Sequence, residues 1–321
     1  MNEAILLPIC AVIPTMDRAA VLERTLRSLF AQSCLPSQIV VIDGSTDGHS
    51  RTLLAGLAWQ HPRLRMEWLH ADKRGAAAQR NQGVRAARQP FILFMDDDIL
   101  FDDACLARLW RAFEADSCLG GASTMIKNQR YEKPGCVSRT IYAIFDGKPS
   151  RTYAGRVIGP AVNLLPEDND DLPEVMPVEW LNTTCTLYRA SALPTPTFDS
   201  VFSGYSLMED VTLSLRVAKT WRIANARTAR IFHDSQPGAH KSNVADLAEM
   251  SVLNRHYVMT SVLERRRIRD YAALLLWEAF QSAAALRGGA DKSPVADVLR
   301  GKARAVARLV RSSRPGSGSA P

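Results

Sequence analysis

The sequence predicts an α/β fold, in which a mainly parallel sheet is covered by helices on both faces and followed by a C-terminal helical extension. Short apolar runs alternate with amphipathic stretches from residue 5 to residue 125, and this alternation is typical of a parallel sheet. Acidic and other polar residues follow directly after several of the apolar runs, where an open α/β sheet binds its ligands. Beyond Asn243 only the helical spacing recurs.

The spacing of apolar residues defines the individual elements, since short apolar runs predict buried strands and intervals of three and four residues predict helices. The predicted strands are Ile5–Ile13, Gln38–Ile42, Leu64–Leu69, Phe91–Met95, Gly120–Met125, Arg222–Asn225 and Ala229–His233. The predicted helices are Val21–Phe30, Gly75–Arg88, Ala104–Ala115, Glu209–Lys219, Val244–Leu263, Ile268–Leu286 and Val295–Val310. Residues 126–175 are rich in Gly, Pro and acidic residues and predict a long irregular excursion over the site, after which patterning resumes at Val178–Arg189.

The composition indicates a globular protein and argues against disulfide-stabilised, zinc-stabilised and membrane-spanning classes. With 321 residues, 46% of them hydrophobic, the chain is long enough for one large domain with an appendage. Its six cysteines are scattered singly, which argues against a disulfide scaffold or a structural zinc site. The apolar stretch near the N-terminus is short and follows Glu3, so it predicts a first strand and not a signal peptide. No segment reaches the roughly 18 uninterrupted apolar residues that span a bilayer.

The positive charge is concentrated toward the C-terminus. The net charge is +7, and the residues from Arg255 onward include 13 basic and 5 acidic side chains. The cluster Arg265–Arg269 precedes an apolar helical pattern that contains Trp277 and Phe280. Such a helix either docks in the plane of an anionic membrane surface or packs on the preceding domain. The basic residues lack interleaved aromatic residues and any recognised nucleic-acid motif, which argues against a nucleic-acid partner.

The strongest chemical signal is the strand Phe91–Met95 followed by Asp96, Asp97 and Asp98. Three carboxylates at the end of a buried strand raise one another's pKa, and a bound cation would offset their repulsion. Hard oxygen ligands suit Mg²⁺ or Mn²⁺, which bridges carboxylate and phosphate oxygens. The alternative is an acidic loop that caps the next helix. His233 ends another apolar strand and is either a core histidine or a third metal ligand.

Two further segments are suited to a nucleotide. Asp43 follows the run Val40–Ile42 and begins a turn. Its carboxylate either accepts hydrogen bonds from a base or ribose or belongs to ordinary turn chemistry. The small residues after Gly75 open a helix flanked by Arg74 and Arg80, whose guanidinium groups, with the backbone N–H groups of the helix start, suit a diphosphate.

Glu209 and Asp210 stand in the first turn of a predicted helix, where the helix dipole favours acidic residues. The functional alternative is a general base at the edge of a cleft, aimed at an incoming hydroxyl. Tyr205, Leu207 and Met208 would supply the partial desolvation that keeps the pKa of such a base useful.

Taken together, these motifs resemble in order and spacing those of family 2 glycosyltransferases, which have the A-type nucleotide-sugar fold with a Rossmann-like sheet. The segments that carry the resemblance are Val12–Thr15, Val41–Asp47, Arg80–Asn81, Asp96–Asp98, Val178–Leu181, Glu209–Asp210 and His233. The resemblance implies inverting transfer of a sugar from a nucleotide-diphospho-sugar, most often of the UDP type. The implied acceptor is a hydroxyl of a saccharide or lipid-linked molecule, as in bacterial-type surface polysaccharide or glycolipid synthesis.

The same resemblance implies a role for each matching residue. Asp43 would read the base or ribose, and Asp96 would hold the ribose and help place Mn²⁺ or Mg²⁺. Asp98 would bind the metal, and His233 would complete its coordination. Asp210 would be the catalytic base, with Glu209 steadying it or touching the acceptor. The remaining predicted site residues are Pro14, Thr15, Arg74, Arg80 and Asp97 for the donor and Trp180 and Tyr205 for the acceptor.

The implied organisation is a catalytic nucleotide-sugar-binding domain over residues 1–240, a helical extension over 241–311 and a disordered tail over 312–321. The predicted location is the cytoplasm, with the inner face of the plasma membrane as the docking surface if the basic helices bind lipid. A nucleotidyltransferase is one alternative, but it predicts a Gly-rich basic loop where this chain has Pro14–Asp17. A non-catalytic scaffold with the same fold is the other, and the retention of Asp96, Asp98, Asp210 and His233 argues against it.

Overall fold

The computed structural model describes residues 4–236, 243–287 and 295–312. These residues form two compact units. The described part of the first unit comprises residues 4–134, 151–157 and 163–236, and that of the second comprises residues 135–150, 158–162, 243–287 and 295–312. The tail predicted over 312–321 lies, from residue 313 onward, outside the described residues.

The first unit contains a nine-stranded sheet. Its strands are β1 (Ile5–Thr15), β2 (Cys34–Asp43), β3 (Arg65–His70), β4 (Phe91–Met95), β5 (Ile99–Phe101), β6 (Leu119–Ile126), β9 (Val175–Pro177), β10 (Cys185–Arg189) and β11 (Arg222–His233). Two short strands, β7 (Val157–Ile158) and β8 (Val162–Asn163), pair with each other in a separate sheet.

The strand order is β3-β2-β1-β4-β10-β6-β11-β5, and β9 also pairs with β11. The pairs β2–β3, β1–β2, β1–β4 and β6–β11 are parallel. β10 is antiparallel to both β4 and β6, and β5 and β9 are antiparallel to β11. Six of the nine strands therefore run in the same direction, namely β1, β2, β3, β4, β6 and β11. This confirms the predicted mainly parallel sheet, and the carboxyl ends of β1, β2 and β4 meet at one edge of it.

Helices cover both faces of this sheet. They are α1 (Ala19–Phe30), α2 (His49–Gln60), α3 (Ala76–Ala86), α4 (Cys105–Ala115) and α6 (Glu209–Val217). Ile9 and Ile13 of β1 belong to one hydrophobic core with buried residues of α1, α2 and α4. Because side chains alternate along a strand, Val12 faces the other way, where α3 packs. A Cβ at Gly83 of α3 would lie 2.2 Å from Val12 Cγ1, so the close approach of this helix requires glycine.

The structure differs from the predicted elements in several places, and the short strands β5 and β9 lie where no strand is predicted. α2 lies where the sequence predicts no element, because its buried side is narrow and includes Ser50, while Trp59 is exposed. The predicted irregular excursion over 126–175 contains a helix, α5 (Cys136–Asp146). β11 is one strand in place of two, with an irregular register between Ala226 and Arg230 that accounts for the interrupted pattern.

The second unit combines α5 with three C-terminal helices. They are α7 (Val244–Tyr257), which continues into a π-helical turn at Val258–Val262, α8 (Ile268–Arg287) and α9 (Val295–Ser312). The rings of Tyr142 and Phe145 on α5 each lie 6.3 Å from that of Trp277 on α8. This aromatic cluster explains why residues 135–150 belong with the helices that the sequence places after residue 240. Among the described residues, none of the helices has the length and apolar character needed to cross a membrane.

Candidate active site

The candidate site lies at the sheet edge where β1, β2 and β4 end. Thr15 is the last residue of β1, Asp43 is the last residue of β2, and Asp96 directly follows β4. His233 ends β11 and pairs with Ile99 of β5, which begins just after the acidic triplet. The parallel pairing of β1, β2 and β4 and the antiparallel pairing of β11 with β5 therefore gather side chains that are far apart in the sequence.

Asp96, Asp98 and His233 form a group of potential metal ligands. Each offers one ligand atom, and these atoms all lie within 4.8 Å of one another. His233 Nε2 is 3.2 Å from Asp98 Oδ1, and Gln129 Nε2 is 3.0 Å from His233 Nδ1, so the ring is oriented by its other nitrogen. Two carboxylates and an imidazole are a donor set that fits a divalent cation.

The pKa of Asp98 lies below its ordinary value. Burial raises it, but this effect is outweighed by the hydrogen bond and charge of His233, the backbone N–H of Gln236 and the charge of Arg18. Gln236 N is 3.3 Å and Arg18 Nη1 is 3.4 Å from Asp98 Oδ2. The carboxylate is therefore held in its charged form, as a metal ligand must be.

Asp97 faces the interior instead. Its Oδ2 accepts a 2.6 Å hydrogen bond from the Thr15 hydroxyl, and its Oδ1 lies 3.4 Å from Arg18 Nη1. The Thr25 hydroxyl donates to the Asp97 carbonyl at 2.6 Å. Burial raises the pKa of the Asp97 carboxyl to about 6, against the opposing effects of Thr15 and Arg18. The geometry makes Asp97 and its predicted donor-site neighbour Thr15 anchors that hold the acidic loop on β1 and α1.

Arg80 joins the acidic loop to the Glu209–Asp210 pair. Its Nη2 is 2.6 Å from Asp96 Oδ1, and its Nη1 donates to Glu209 Oε1. Arg80 and Glu209 are both buried, and the guanidinium carbon lies 6.0 Å from the centre of the Phe198 ring. Burial raises the pKa of the Glu209 carboxyl, and the Arg80 charge opposes that shift. Breaking the Arg80–Glu209 pair would leave the buried Arg80 charge compensated by Asp96 alone of these two carboxylates, which is destabilising.

The loop before α6 brings Glu209 and Asp210 to Arg80. Gly204 forms a parallel bridge with Gly75 at the start of α3, and Ala76 N donates to Gly204 O at 3.4 Å. At Gly75 φ is +124°, and a Cβ there would lie 3.1 Å from Gly204 N, so both conformation and contact favour glycine.

Asp210 is the less buried member of the acidic pair. It is half-buried, whereas Glu209 is 5% exposed. Asp210 Oδ1 accepts the Val211 backbone N–H at 2.7 Å. Burial raises the pKa of the Asp210 carboxyl to about 6, although the Val211 N–H and the Arg80 charge oppose the shift. A carboxylate with this pKa is ionised at neutral pH yet more basic than an ordinary aspartate.

Asp43 has a different environment from the acidic loop. It is fully buried, its Oδ1 accepts from Ser45 N at 2.9 Å and Ser45 Oγ at 2.5 Å, and its Oδ2 accepts from Trp68 Nε1 at 3.1 Å. Gln79 Nε2 donates to the carbonyls of Thr15 at 3.0 Å and Ile42 at 2.8 Å. These bonds fix the turn after β2 against the ends of β1 and α3.

The other predicted site residues occupy varied positions. Pro14 is half-buried on β1, and Arg74 is exposed just before α3. Trp180 is buried and donates from Nε1 to the Leu164 carbonyl at 2.7 Å. Tyr205 is 41% exposed. Partial burial raises the pKa of Tyr205, and nearby carboxylates raise it further, those of Asp96, Asp98 and Asp210. The Tyr205 phenol therefore lies in the field of the acidic groups, while the Trp180 ring packs inside the first unit.

Three polar residues that support this site are not predicted from the sequence. Arg18 contacts both Asp97 and Asp98, Gln129 orients His233, and Gln79 ties together the ends of β1 and β2. Arg18 follows the first predicted strand closely, which is a weak positional signal. Gln129 and Gln79 carry no signal, because their roles depend on which loops meet in three dimensions.

Residues 10–157 match the family model described as Glycosyl transferase family 2. A validoxylamine A glucosyltransferase of Streptomyces hygroscopicus subsp. limoneus is 36% identical over 94 residues, which span 28% of this chain and 20% of that protein. A GalNAc(5)-diNAcBac-PP-undecaprenol beta-1,3-glucosyltransferase of Campylobacter jejuni is 20% identical over 263 residues, which span 81% of this chain and 76% of that protein.

Solved structures share the fold. A mannosyltransferase from Pyrobaculum calidifontis, in complex with GDP-Man and Mn²⁺, superposes with a TM-score of 0.54 at 17% sequence identity. The superposition covers 95% of this chain and 82% of that chain. This likeness confirms the predicted α/β architecture of the glycosyltransferase A type.

Proposed function

Since residues 10–157 match the model of glycosyl transferase family 2, we propose that the chain is an inverting, metal-dependent glycosyltransferase. It moves a sugar from a nucleotide-diphospho-sugar to a hydroxyl of a saccharide or lipid-linked acceptor, in surface polysaccharide or glycolipid synthesis. The observation that carries the proposal is the convergence of three potential metal ligands, whose atoms lie within 4.8 Å of one another, with an arginine that links them to an acidic pair. That arginine is Arg80, which joins Asp96 to Glu209.

Asp96, Asp98 and His233 are the residues that hold the cation in this proposal. When bound, a divalent cation offsets the negative charge that builds on the departing diphosphate. The lowered pKa of Asp98 keeps this carboxylate available as a ligand at neutral pH. The imidazole of His233 favours Mn²⁺ over Mg²⁺, since Mg²⁺ prefers an all-oxygen environment.

The donor nucleotide binds, in this proposal, at the ends of β1 and β2 and the start of α3. Arg74 is exposed there and its guanidinium group suits a diphosphate. Asp43 holds the turn that the base or ribose contacts, because both of its oxygens already accept hydrogen bonds from the protein. Pro14 and Thr15 form the adjoining wall at the end of β1. The family resemblance favours UDP as the nucleotide.

Asp210 is the catalytic base in this proposal. In an inverting displacement the acceptor hydroxyl attacks the anomeric carbon from the face opposite the leaving diphosphate. Asp210 accepts the proton of that hydroxyl as the new bond forms, and its pKa of about 6 leaves it ionised at pH 7. Glu209 and Arg80 position the first turn of α6, and Tyr205 offers a partly exposed ring to the acceptor sugar.

A lipid-linked acceptor would bring the protein to the cytoplasmic face of an anionic membrane. The relative from Campylobacter jejuni is named for an undecaprenol-linked substrate, and the C-terminal helices of this chain are strongly basic. We therefore include an anionic membrane surface among the proposed partners.

Thermal unfolding with nucleotides and metal tests the donor site. UDP, GDP, dTDP and CDP are compared with and without Mn²⁺ or Mg²⁺, on the native chain, on Asp98→Ala and on Asp103→Ala. Asp103 is an exposed carboxylate just beyond the acidic loop and serves as the matched control. At about 100 times its Kd, a bound nucleotide raises the Tm by about 5–10 °C by mass action. We expect a metal-dependent shift that Asp98→Ala removes and Asp103→Ala keeps.

Product analysis tests the reaction itself. Incubation with the nucleotide-sugar of the preferred base should release a nucleoside diphosphate in step with sugar transfer. Release of pyrophosphate would indicate a nucleotidyltransferase instead. A chain that shows no nucleotide- and metal-dependent shift at millimolar concentrations would refute the donor site.

A further inference from the structure

Helix α8 exposes apolar residues along one side for most of its length. The exposed positions recur at intervals of three and four residues, which places them on one face of the helix, and they are Ile268, Tyr271, Ala272, Leu275, Leu276 and Ala279. Ile268 is 90% exposed and Leu275 is 64% exposed. A surface helix normally presents polar residues at such positions. Packing within the second unit therefore does not account for the apolar residues on this outer face of α8.

The inner side of α8 carries the charge that would ordinarily face water. Glu278 is 14% exposed in its side chain, and its Oε2 is 2.8 Å from Lys302 Nζ of α9. Its Oε1 is 3.5 Å from Arg255 Nε of α7. Lys302 Nζ also donates to the Ser282 hydroxyl at 3.0 Å. These partners and the buried Trp277 fix the rotation of the helix, so its apolar face stays on the outside.

The charge next to the outer face is positive. Arg266, Arg267 and Arg269 are exposed at the N-terminal end of α8, and the Arg269 side chain is 76% exposed. The two acidic residues between 265 and 284, Asp270 and Glu278, both have largely buried side chains. Asp270 is 16% exposed and accepts the Arg267 backbone N–H at 2.8 Å, and Glu278 is paired inside. Among the described side chains of this segment, the exposed charges are thus all arginines.

We propose that the outer face of α8 docks on an anionic lipid surface. Leu275 and Leu276 enter the boundary between headgroups and acyl chains, and Tyr271 lies at headgroup level. The exposed arginines contact lipid phosphates. A second copy of this face would set three exposed arginines against the same three, with Glu264 as the one exposed carboxylate of residues 264–284, whereas an anionic bilayer offers many phosphates, and this charge complementarity favours lipid as the partner. The inference deepens the proposed function, because it names the surface at which the protein would meet a lipid-linked acceptor. Only the identity of that acceptor rests on the proposed function.

Vesicle flotation with the full chain tests the proposal. Vesicles of phosphatidylglycerol and phosphatidylcholine are compared with vesicles of phosphatidylcholine alone. The first variant is Leu275→Ser with Leu276→Ser, and its matched control is Trp59→Ser, which removes a 72% exposed apolar side chain from α2. The second variant is Arg267→Gln with Arg269→Gln, and its control replaces the exposed Arg85 and Arg111 in the same way. Far-UV circular dichroism and Tm verify the folding of each variant.

The expected result is binding to the anionic vesicles that is absent with phosphatidylcholine alone. The leucine variant should weaken binding at least about tenfold, because two exposed leucines lose their burial in lipid. The arginine variant should weaken it about thirtyfold, since each of the two basic residues near the surface contributes about fivefold. Both controls should bind like the native chain.

Two results would overturn the proposal. One is failure of the native chain to float with the anionic vesicles. The other is a concentration-dependent dimer in analytical ultracentrifugation that the leucine variant abolishes, which would show that a second copy covers the face. The metal-dependent Tm shift with nucleotide is measured on the same variants and should be unchanged, so loss of membrane docking is distinguished from loss of the donor site.

Discussion

The ends of β2 and β4 look alike in the sequence, since each apolar run is followed by aspartate, but the structure uses their carboxylates differently. Asp43 accepts three hydrogen bonds from Ser45 and Trp68 and is fully buried. Asp96 and Asp98 instead lie beside each other and His233, with ligand atoms within 4.8 Å. Asp96 and Asp98 also accept from protein donors, namely Arg80, Gln236 and Arg18, so the two strand ends differ in whether potential metal-ligand atoms converge and not in the number of hydrogen bonds.

The largest expected effect is at the end of β4. Asp98→Asn removes one charge from the proposed metal group, and stabilisation of the leaving diphosphate is worth several kcal/mol. We expect the turnover with Mn²⁺ to fall by about 10⁴-fold. The measurement is steady-state sugar transfer with saturating donor. Asp103→Asn is the control and should retain native turnover, while native turnover in Asp98→Asn would mean that no catalytic cation is held there.

The next effect concerns the acidic pair that Arg80 connects to this strand end. Asp210→Asn removes the proposed base but keeps its shape, so turnover should fall by about 10³-fold, within the usual range for general base catalysis. Donor affinity and Tm should stay close to native. If the nucleotide Kd rose in proportion to the loss of rate, Asp210 would be a donor contact and not the base.

Glu209→Gln distinguishes the role of Glu209 from that of Asp210, because Glu209 is the buried partner of Arg80. The substitution removes the more buried of the two carboxylates that lie within ion-pair distance of the buried Arg80 guanidinium, the other being Asp96. The free energy of unfolding should therefore fall by about 3 kcal/mol, measured by urea denaturation. A variant with native stability but lost turnover would assign chemistry to Glu209 instead.

The pH dependence of sugar transfer tests the role of Asp210 as the base, and its expected effect is smaller. The pKa of Asp210 is raised to about 6, and a base must be deprotonated to act, so kcat/KM should rise with pH and level off above about pH 7. At pH 5 it should be about tenfold below the plateau. Since the raised pKa favours the protonated carboxyl in the folded state, this group's contribution to stability is present at low pH and is lost as pH rises through 6. A flat profile between pH 5 and pH 7 would contradict the assignment.

Much of this comparison could be predicted from the sequence. Apolar runs predict β1, β2 and β4, and the order of motifs predicts that Asp96, Asp98 and His233 belong to one site. The hydrogen bonds to Asp43 were not predictable. Trp68 lies on the neighbouring strand β3, and only the register of β2 and β3 brings its indole N–H to the Asp43 carboxylate. The missed helix α2 likewise has too narrow an apolar side to stand out in the sequence.

The smallest expected effect on turnover is at the end of β2. Asp43→Asn keeps the shape of the side chain but places an NH₂ group against either Ser45 or Trp68, both of which donate. The free energy of unfolding should fall by about 1–3 kcal/mol, because a buried donor loses its acceptor. Asp47→Asn, an exposed carboxylate of the same turn, is the control and should change it by less than about 0.5 kcal/mol. Thermal unfolding and nucleotide affinity are measured together. Loss of stability with native affinity would confirm that Asp43 holds the turn, whereas a tenfold loss of affinity at native Tm would mean that it reads the nucleotide directly, and the contrast between the two strand ends would disappear.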